Sequence, residues 1–283
     1  MTGTLAAGLA LALFSAITSA FAHATLKSGD DKLAVMAWIR LCELATALPF
    51  VLWIGLPPGD LWLWIAAAVA VHALYQLILS WSYTVSDFTA AYPIARGFTP
   101  IFTALLGIVV LGDRLDGVAL AGIAIISAGI LALARSRALS PTGLAAACAT
   151  GLLTTCYTLV DAKGVRAAPD ALTFIAWFYL ICGVPIPLML LIRSGRRTAA
   201  LLAHDVRPGI AAGVLSLLAF APALFALGMA PVGAVAALRE TSVLIGLVLG
   251  AVMLKERLDR RRITGGLLVT AGTLTLIAGA AFA

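Results

Sequence analysis

Ten apolar runs follow one another along this chain, at residues 3–22, 33–55, 61–82, 88–111, 116–134, 141–161, 170–192, 208–229, 232–254 and 262–281. Each is near the ~20 residues that carry a helix across the hydrocarbon core of a bilayer. No water satisfies an exposed peptide group in lipid, so a spanning segment must be a helix or a strand of a closed barrel. The alternation of barrel strands is absent, and the segments read as helices. Composition agrees: 62% of the 283 residues are hydrophobic, and only 11% are Asp, Glu, Lys or Arg, against about 25% in a soluble domain. Too few charges remain to cover a water-exposed surface. The chain is expected to be an all-α polytopic membrane protein. The stretch from Met1 to Ala24 lacks a basic leader, and its apolar run continues to about Phe21. It reads as a first membrane helix rather than a cleaved signal.

The chain also carries one segment twice. Arg96, Gly107, Leu111, Arg114, Leu115, Asp116, Gly122, Ala128 and Gly129 recur, without a gap, as Arg239, Gly250, Leu254, Arg257, Leu258, Asp259, Gly265, Ala271 and Gly272. The offset is 143 throughout, and Asp113 and Glu256 match in charge. Ten segments then divide into five and five, with units expected at 1–137 and 138–283. An odd number of helices per unit makes the second begin on the opposite side, so the repeat is inverted by parity. Inverted repeats in an apolar chain point to a secondary transporter with its site near the midplane.

Basic residues orient the chain. The face holding the loop between segments one and two collects 13 of the 19 Lys and Arg residues, and the other face holds only Arg114, Lys163 and Arg166. The basic face is expected to be cytoplasmic, in a bacterial inner membrane, with both termini outside. The net charge of +6 is thereby explained without nucleic acid. Cys42, Cys148, Cys156 and Cys182 lie in apolar runs, and with three histidines they form no ligand pattern. No metal and no cofactor are expected. No phosphate-binding loop of the Gly-x-x-x-x-Gly-Lys-Ser/Thr type is present, which argues against direct use of ATP.

Charges at membrane depth are costly and mostly face a cavity or a partner. Arg40 and Glu43 stand three apart on the second segment and share a face; they read either as a self-neutralising pair or as coupling or gating residues. Arg96 lies in the stretch from Tyr92 to Pro100, where Pro93 and Pro100 remove two backbone donors around it. Arg239 is its counterpart, next to Glu240, whose own counterpart is Gly97. Neighbours on a helix point about 100° apart, so Arg239 is favoured for a cavity and Glu240 for a neighbouring helix. His72 and Tyr75 share one side of the third segment and offer hydrogen-bonding and aromatic surface. Tyr157 and Asp161 lie four apart on the sixth segment, as do His23 and Lys27 near the end of the first. Asp161 and Lys27, close to segment ends, read as gate or interface residues. The glycines of segments five and ten permit close helix approach. They mark scaffold, and the expected state is a monomer or a weak homodimer through these two segments.

Several pieces together resemble the EamA-type family of drug/metabolite transporters. They are His23 to Lys27, Tyr92 to Pro100, and the turns Leu111-Gly112-Asp113-Arg114-Leu115 and Leu254-Lys255-Glu256-Arg257-Leu258, each followed by a small-residue helix. The resemblance covers nearly the whole chain as two tandem units. It implies two inverted five-helix halves and a central cavity lined by helices one, three, four, six, eight and nine. It also implies export of organic metabolites as the commonest activity. It promotes Arg96, Arg239, His72 and Tyr75, which lie on cavity helices, and moves Arg40 and Glu43 towards gating. Tyr92 joins the expected substrate cavity, and Glu240, Asp161 and Lys27 the expected coupling or gating residues. Lys255 departs from the family's glycine in the second turn, and both Asp113 and Glu256 are expected to brace their turns. The expected solute is a small organic metabolite, anionic or amphipathic, moved by alternating access, with proton coupling and facilitated diffusion both open. The rival readings are a membrane enzyme acting on lipid-linked substrates, for which no acid, histidine or serine cluster is seen, and a non-transporting structural or sensory membrane protein.

Overall fold

The computed structural model describes residues 3–26, 30–85, 88–133, 140–245 and 260–282. Lys27 and the charged turn at 255–259 lie outside these residues, as does the side chain of Tyr92. Among the described residues every regular element is a helix. The first half holds α1 (Gly3–Leu26), α2 (Lys32–Ile54), α3 (Leu61–Val85), α4 (Phe88–Leu106) and α5 (Gly117–Leu133). The second holds α6 (Pro141–Ala167), α7 (Ala171–Cys182), α8 (Pro185–Ser194), α9 (Thr198–His204), α10 (Val206–Met229), α11 (Val232–Arg239) and α12 (Arg260–Phe282). Five helical runs are long and apolar enough to cross a membrane by themselves, and shorter apolar runs lie in α3, α4, α5 and α12.

Local chemistry sets the ends. Asp31 caps α2 by accepting from the Leu33 and Ala34 amides, and Asp170 accepts from Thr173 at the start of α7. Ser140 caps α6 with Pro141 in its first turn, where a missing N–H costs nothing. The tight hairpin expected after segment four is present. α4 runs into a π-turn, Gly107–Leu111, closed by Gly112 at φ 70°, a left-handed conformation that glycine adopts freely.

Three segments differ from the expectation. Segment seven is interrupted: Gly183 and Val184 separate α7 from α8, which restarts on Pro185. The short α9 follows, in a stretch outside the ten expected segments. Segment six continues to Ala167, so Asp161 lies well inside α6 rather than at its end. Segment nine breaks at Glu240 and Thr241, directly after Arg239.

Helix contacts reveal the two-fold relation between halves. α1 packs on α10 as α6 packs on α3, and α4 meets α6 as α11 meets α1. The pairs α2–α7, α4–α11 and α5–α12 map onto themselves when the halves are exchanged. The α5–α12 seam fixes the sense of that exchange. A Cβ at Gly122 would lie 2.6 Å from the Leu276 nitrogen and 2.9 Å from the Gly272 oxygen, and one at Gly129 would lie 2.8 Å from the Val269 nitrogen and 2.9 Å from the Gly265 oxygen. Going up α5 means going down α12, so the two helices are antiparallel and the halves are inverted. The glycines expected to allow close approach are thus used within one chain, between backbones.

Polar contacts reinforce the α1–α10 pair. Pro222 sits inside α10 and donates no hydrogen bond to the carbonyl four residues earlier. Thr18 of α1 supplies that donor, its hydroxyl donating to the Leu218 oxygen at 2.9 Å. Each face has a further clasp. Asp113, after the π-turn, receives Arg166 of α6 at 2.6 Å and the Val232 amide of α11. Arg166 also donates to the Leu227 and Ala230 carbonyls at the end of α10. Asp113 therefore braces both halves, not only its own turn. On the opposite face Asp205 accepts from the Asp30 and Asp31 amides at 3.0 Å each, and His204 meets Asp30 at 2.9 Å.

Candidate functional site

The break in segment nine falls where its charges are. α11 is buried from Val232 to Leu238. Its run of small and β-branched side chains lets it pass through the centre of the bundle, with Gly233 against Ala104 of α4. The helix then turns at Glu240, whose amide reaches the Ala236 and Ala237 carbonyls. Irregular backbone at this depth is tolerated only where protein or water satisfies it.

Arg96 and Arg239 meet different surroundings. The Arg96 Nε lies 3.1 Å from the Glu240 Oε2, an ion pair between a side chain 19% exposed and one 3% exposed. That oxygen lacks an aligned hydrogen bond, so the contact is chiefly electrostatic. Glu240 thus addresses the neighbouring α4, as expected from its angular offset. Among the described residues Arg239 forms no ion pair with a carboxylate. Its guanidinium carbon stands 5.5 Å from the centre of the Phe220 ring, within the range of a cation–π contact, and its Nε is buried without a hydrogen-bond partner. The repeat explains the difference. Exchange of the halves carries the Arg96–Glu240 contact onto Arg239 and Gly97, and Gly97 has no charge to offer. The two expected cavity arginines thus differ in partner: Arg96 has the Glu240 carboxylate and Arg239 the Phe220 ring.

Around Phe220 gathers an aromatic cluster from α3, α6, α7 and α10. His72 stacks on Tyr157 at 4.4 Å and lies 5.0 Å from Phe178 and 5.6 Å from Phe220. Tyr75 meets Tyr157 edge-on at 5.1 Å. The His72 Nε2 is 3.0 Å from the Asp161 Oδ2, while the Asp161 Oδ1 is buried without a partner. Asp161, taken from sequence for a gate or interface residue near a helix end, is instead buried beside His72, because α6 runs on past it. Tyr179 of α7 closes the cluster 6.4 Å from Phe220, and its hydroxyl also lacks a partner.

Arg40 and Glu43 form the local pair that their spacing suggested, at 2.5 Å. Ser216 of α10 lies 3.5 Å from the other Glu43 oxygen. Of the residues named from sequence, the structure brings together Arg96, Arg239, Glu240, His72, Tyr75 and Asp161, and sets Arg40 and Glu43 one layer away on α2. Sequence reasoning missed Phe178, Tyr179, Phe220 and Arg166. The three aromatic rings sit in uniformly apolar runs, where nothing separates a cavity wall from lipid contact. Arg166 was counted only as a charge on the sparse face. A signal for it existed, since it ends a helix opposite the duplicated Asp113 turn.

The EamA-like transporter family model matches residues 2–135 and, a second time, residues 141–278. The chain belongs to the EamA-like transporter family. It is a helical, multi-span membrane protein of a family that transports small molecules, not a catalytic one. A crystal structure described only as "Crystal structure of protein" has the same fold, with a TM-score of 0.73 at 16% identity over 97% of each chain. No curated protein matches the chain at a meaningful level.

Proposed function

We propose that this EamA-family member carries small organic solutes bearing a carboxylate or another anionic group, and that Arg239 receives that group. One observation carries the reading: Arg239 is a half-buried cation that forms no ion pair among the described residues, with its Nε buried without a hydrogen-bond partner and its guanidinium set against the Phe220 ring. A desolvated guanidinium is costly until an anion reaches it, and charge-assisted hydrogen bonds to carboxylate or phosphate are strong. The rings of His72, Tyr75, Tyr157, Phe178 and Phe220 offer the apolar remainder of the solute a surface. Asp161 orients His72, and Tyr92 is assigned to the solute as well.

In this reading the halves rock about the central site, moving solute outward across a bacterial inner membrane. The basic face is cytoplasmic, both termini are outside, and the units are 1–137 and 138–283. Glu240 and Glu43 are the proton carriers if movement is coupled, since protonation of either would release its arginine; Lys27 acts at the gate. The protein works as a monomer, because the glycine faces of α5 and α12 are used within the chain.

The test is flux in vesicles across a panel of carboxylates, phosphonates and their neutral amides, for wild type and Arg239→Gln, with and without a pH gradient. Saturable flux of the anionic solutes, lost in the variant while Tm is kept, is the expected result. Equal flux in the variant would remove Arg239 from the site. A gradient without effect would leave facilitated diffusion.

A further inference from the structure

Where α5 ends and α12 begins, the seam leaves a cavity of about 430 Å³ lined by Leu131, Ala132, Arg260, Arg261 and Thr264. It lies on the face rich in basic residues, away from the aromatic cluster. Among the described residues no acid lines it, and neither Arg260 nor Arg261 forms an ion pair. The Thr264 hydroxyl already donates to the Arg260 carbonyl at 2.9 Å, so what the cavity offers an incoming group is two guanidinium forks above an apolar wall. Further along α12, Ile263 and Leu267 are exposed, four residues apart on one side of the helix.

We propose that this cavity holds the phosphodiester headgroup of an anionic phospholipid from the adjoining leaflet, with its acyl chains lying along Ile263 and Leu267. The phosphate suits the arginines, which bind it in a bidentate manner, and basic recesses between membrane helices recognise such headgroups. A free phosphate would use the arginines but gain nothing from Leu131, Ala132, Ile263 or Leu267. The glycine seam beneath holds the two helices in fixed register, so the recess is preformed. This site is independent of Arg239 and of the solute.

Native mass spectrometry of the full chain, released from nanodiscs containing phosphatidylglycerol or phosphatidylcholine, tests it. The expected result is one phosphatidylglycerol retained per chain, no phosphatidylcholine, and no displacement by millimolar inorganic phosphate. Retention should fall by roughly tenfold, equivalent to about 1.4 kcal/mol, in Arg260→Gln/Arg261→Gln and also in Ala132→Trp. The second variant fills the cavity while keeping the charges that orient the chain, so lost insertion cannot imitate lost binding. Arg196→Gln/Arg197→Gln, elsewhere on the same face, should retain the lipid. Full retention in Ala132→Trp, equal loss in the Arg196/Arg197 control, or displacement by phosphate would overturn the proposal.

Discussion

Arg96 and Arg239 hold the same place in two copies of one repeat, yet one is neutralised and the other is not. Both end up at the centre of the bundle, because α4 and α11 pack on each other across the two-fold axis. Their environments diverge at the next position, Gly97 in one copy and Glu240 in the other. The repeat places two cations near the centre of the bundle, and Glu240 pairs with one of them.

The largest effect expected from this contrast is on stability. Arg96→Gln leaves Glu240 buried and unpaired, a loss of about 3–5 kcal/mol for a buried pair. Adding Glu240→Gln should recover much of it, which thermal denaturation of single and double variants would measure. If the double variant is no more stable than Arg96→Gln, the pair is not what holds Arg96. Arg239→Gln should behave in the opposite way. Its Tm should hold or rise, while apparent affinity for an anionic solute falls by about 1.5–3 kcal/mol, the worth of a charged hydrogen bond. A Tm collapse in Arg239→Gln would show that this arginine too is structural.

The copies also resist being made equal. A Cβ at Gly97 would come within 2.7 Å of the Leu131 side chain, so an acid cannot simply be added there. Gly97→Ala should cost about 1–3 kcal/mol, as overpacking does, read as a lower denaturation midpoint. An unchanged midpoint would mean that position 97 is free to accept a partner for Arg239.

The smallest effect separates the two faces. One clasp pairs the Asp113 carboxylate with the Arg166 guanidinium, whereas the other contains His204. The apolar run of segment seven ends at residue 192, and exposed His204 follows it on the separate short helix α9, beside exposed Asp30. His204 therefore lies beyond the hydrocarbon. The hydrogen bond to Asp30, helped by the charge of Asp205, raises its pKa above the usual 6.5. Such a group stabilises the fold fully below about pH 6.5, and the contribution disappears as pH rises through the folded value. The Tm of wild type should therefore exceed that of His204→Gln slightly in acid and match it in alkali. A difference that grows with pH would contradict the clasp.

Much of this architecture was legible in the chain. Apolar runs gave the membrane helices, and an odd count per copy gave inversion. The constant offset placed Arg96 and Arg239 in register before any contact was known. What could not be read was partnership. Sequence spacing reports neighbours on one helix, so it found Arg40 with Glu43. It could not find Arg96 with Glu240 or His72 with Asp161, which meet only because distant helices cross. The breaks after Cys182 and Arg239 were hidden for a related reason: hydrophobicity continues through them, and tertiary packing decides where the helix yields. Asp161 was misplaced because a boundary drawn where the apolar run fades fell several residues short of the true helix end.

The seam between α5 and α12 bears on how the two copies can drift apart. The crossing of Gly122 with Gly272 and that of Gly129 with Gly265 are exchanged by the same two-fold axis. A methyl group gained on either helix would strike backbone belonging to the other copy, so neither copy can change there alone. Central positions such as 97 and 240 meet no such reciprocal bar and have been free to specialise. The identity of Gly122 with Gly265 and of Gly129 with Gly272 is thus a record of mutual constraint where backbone touches backbone.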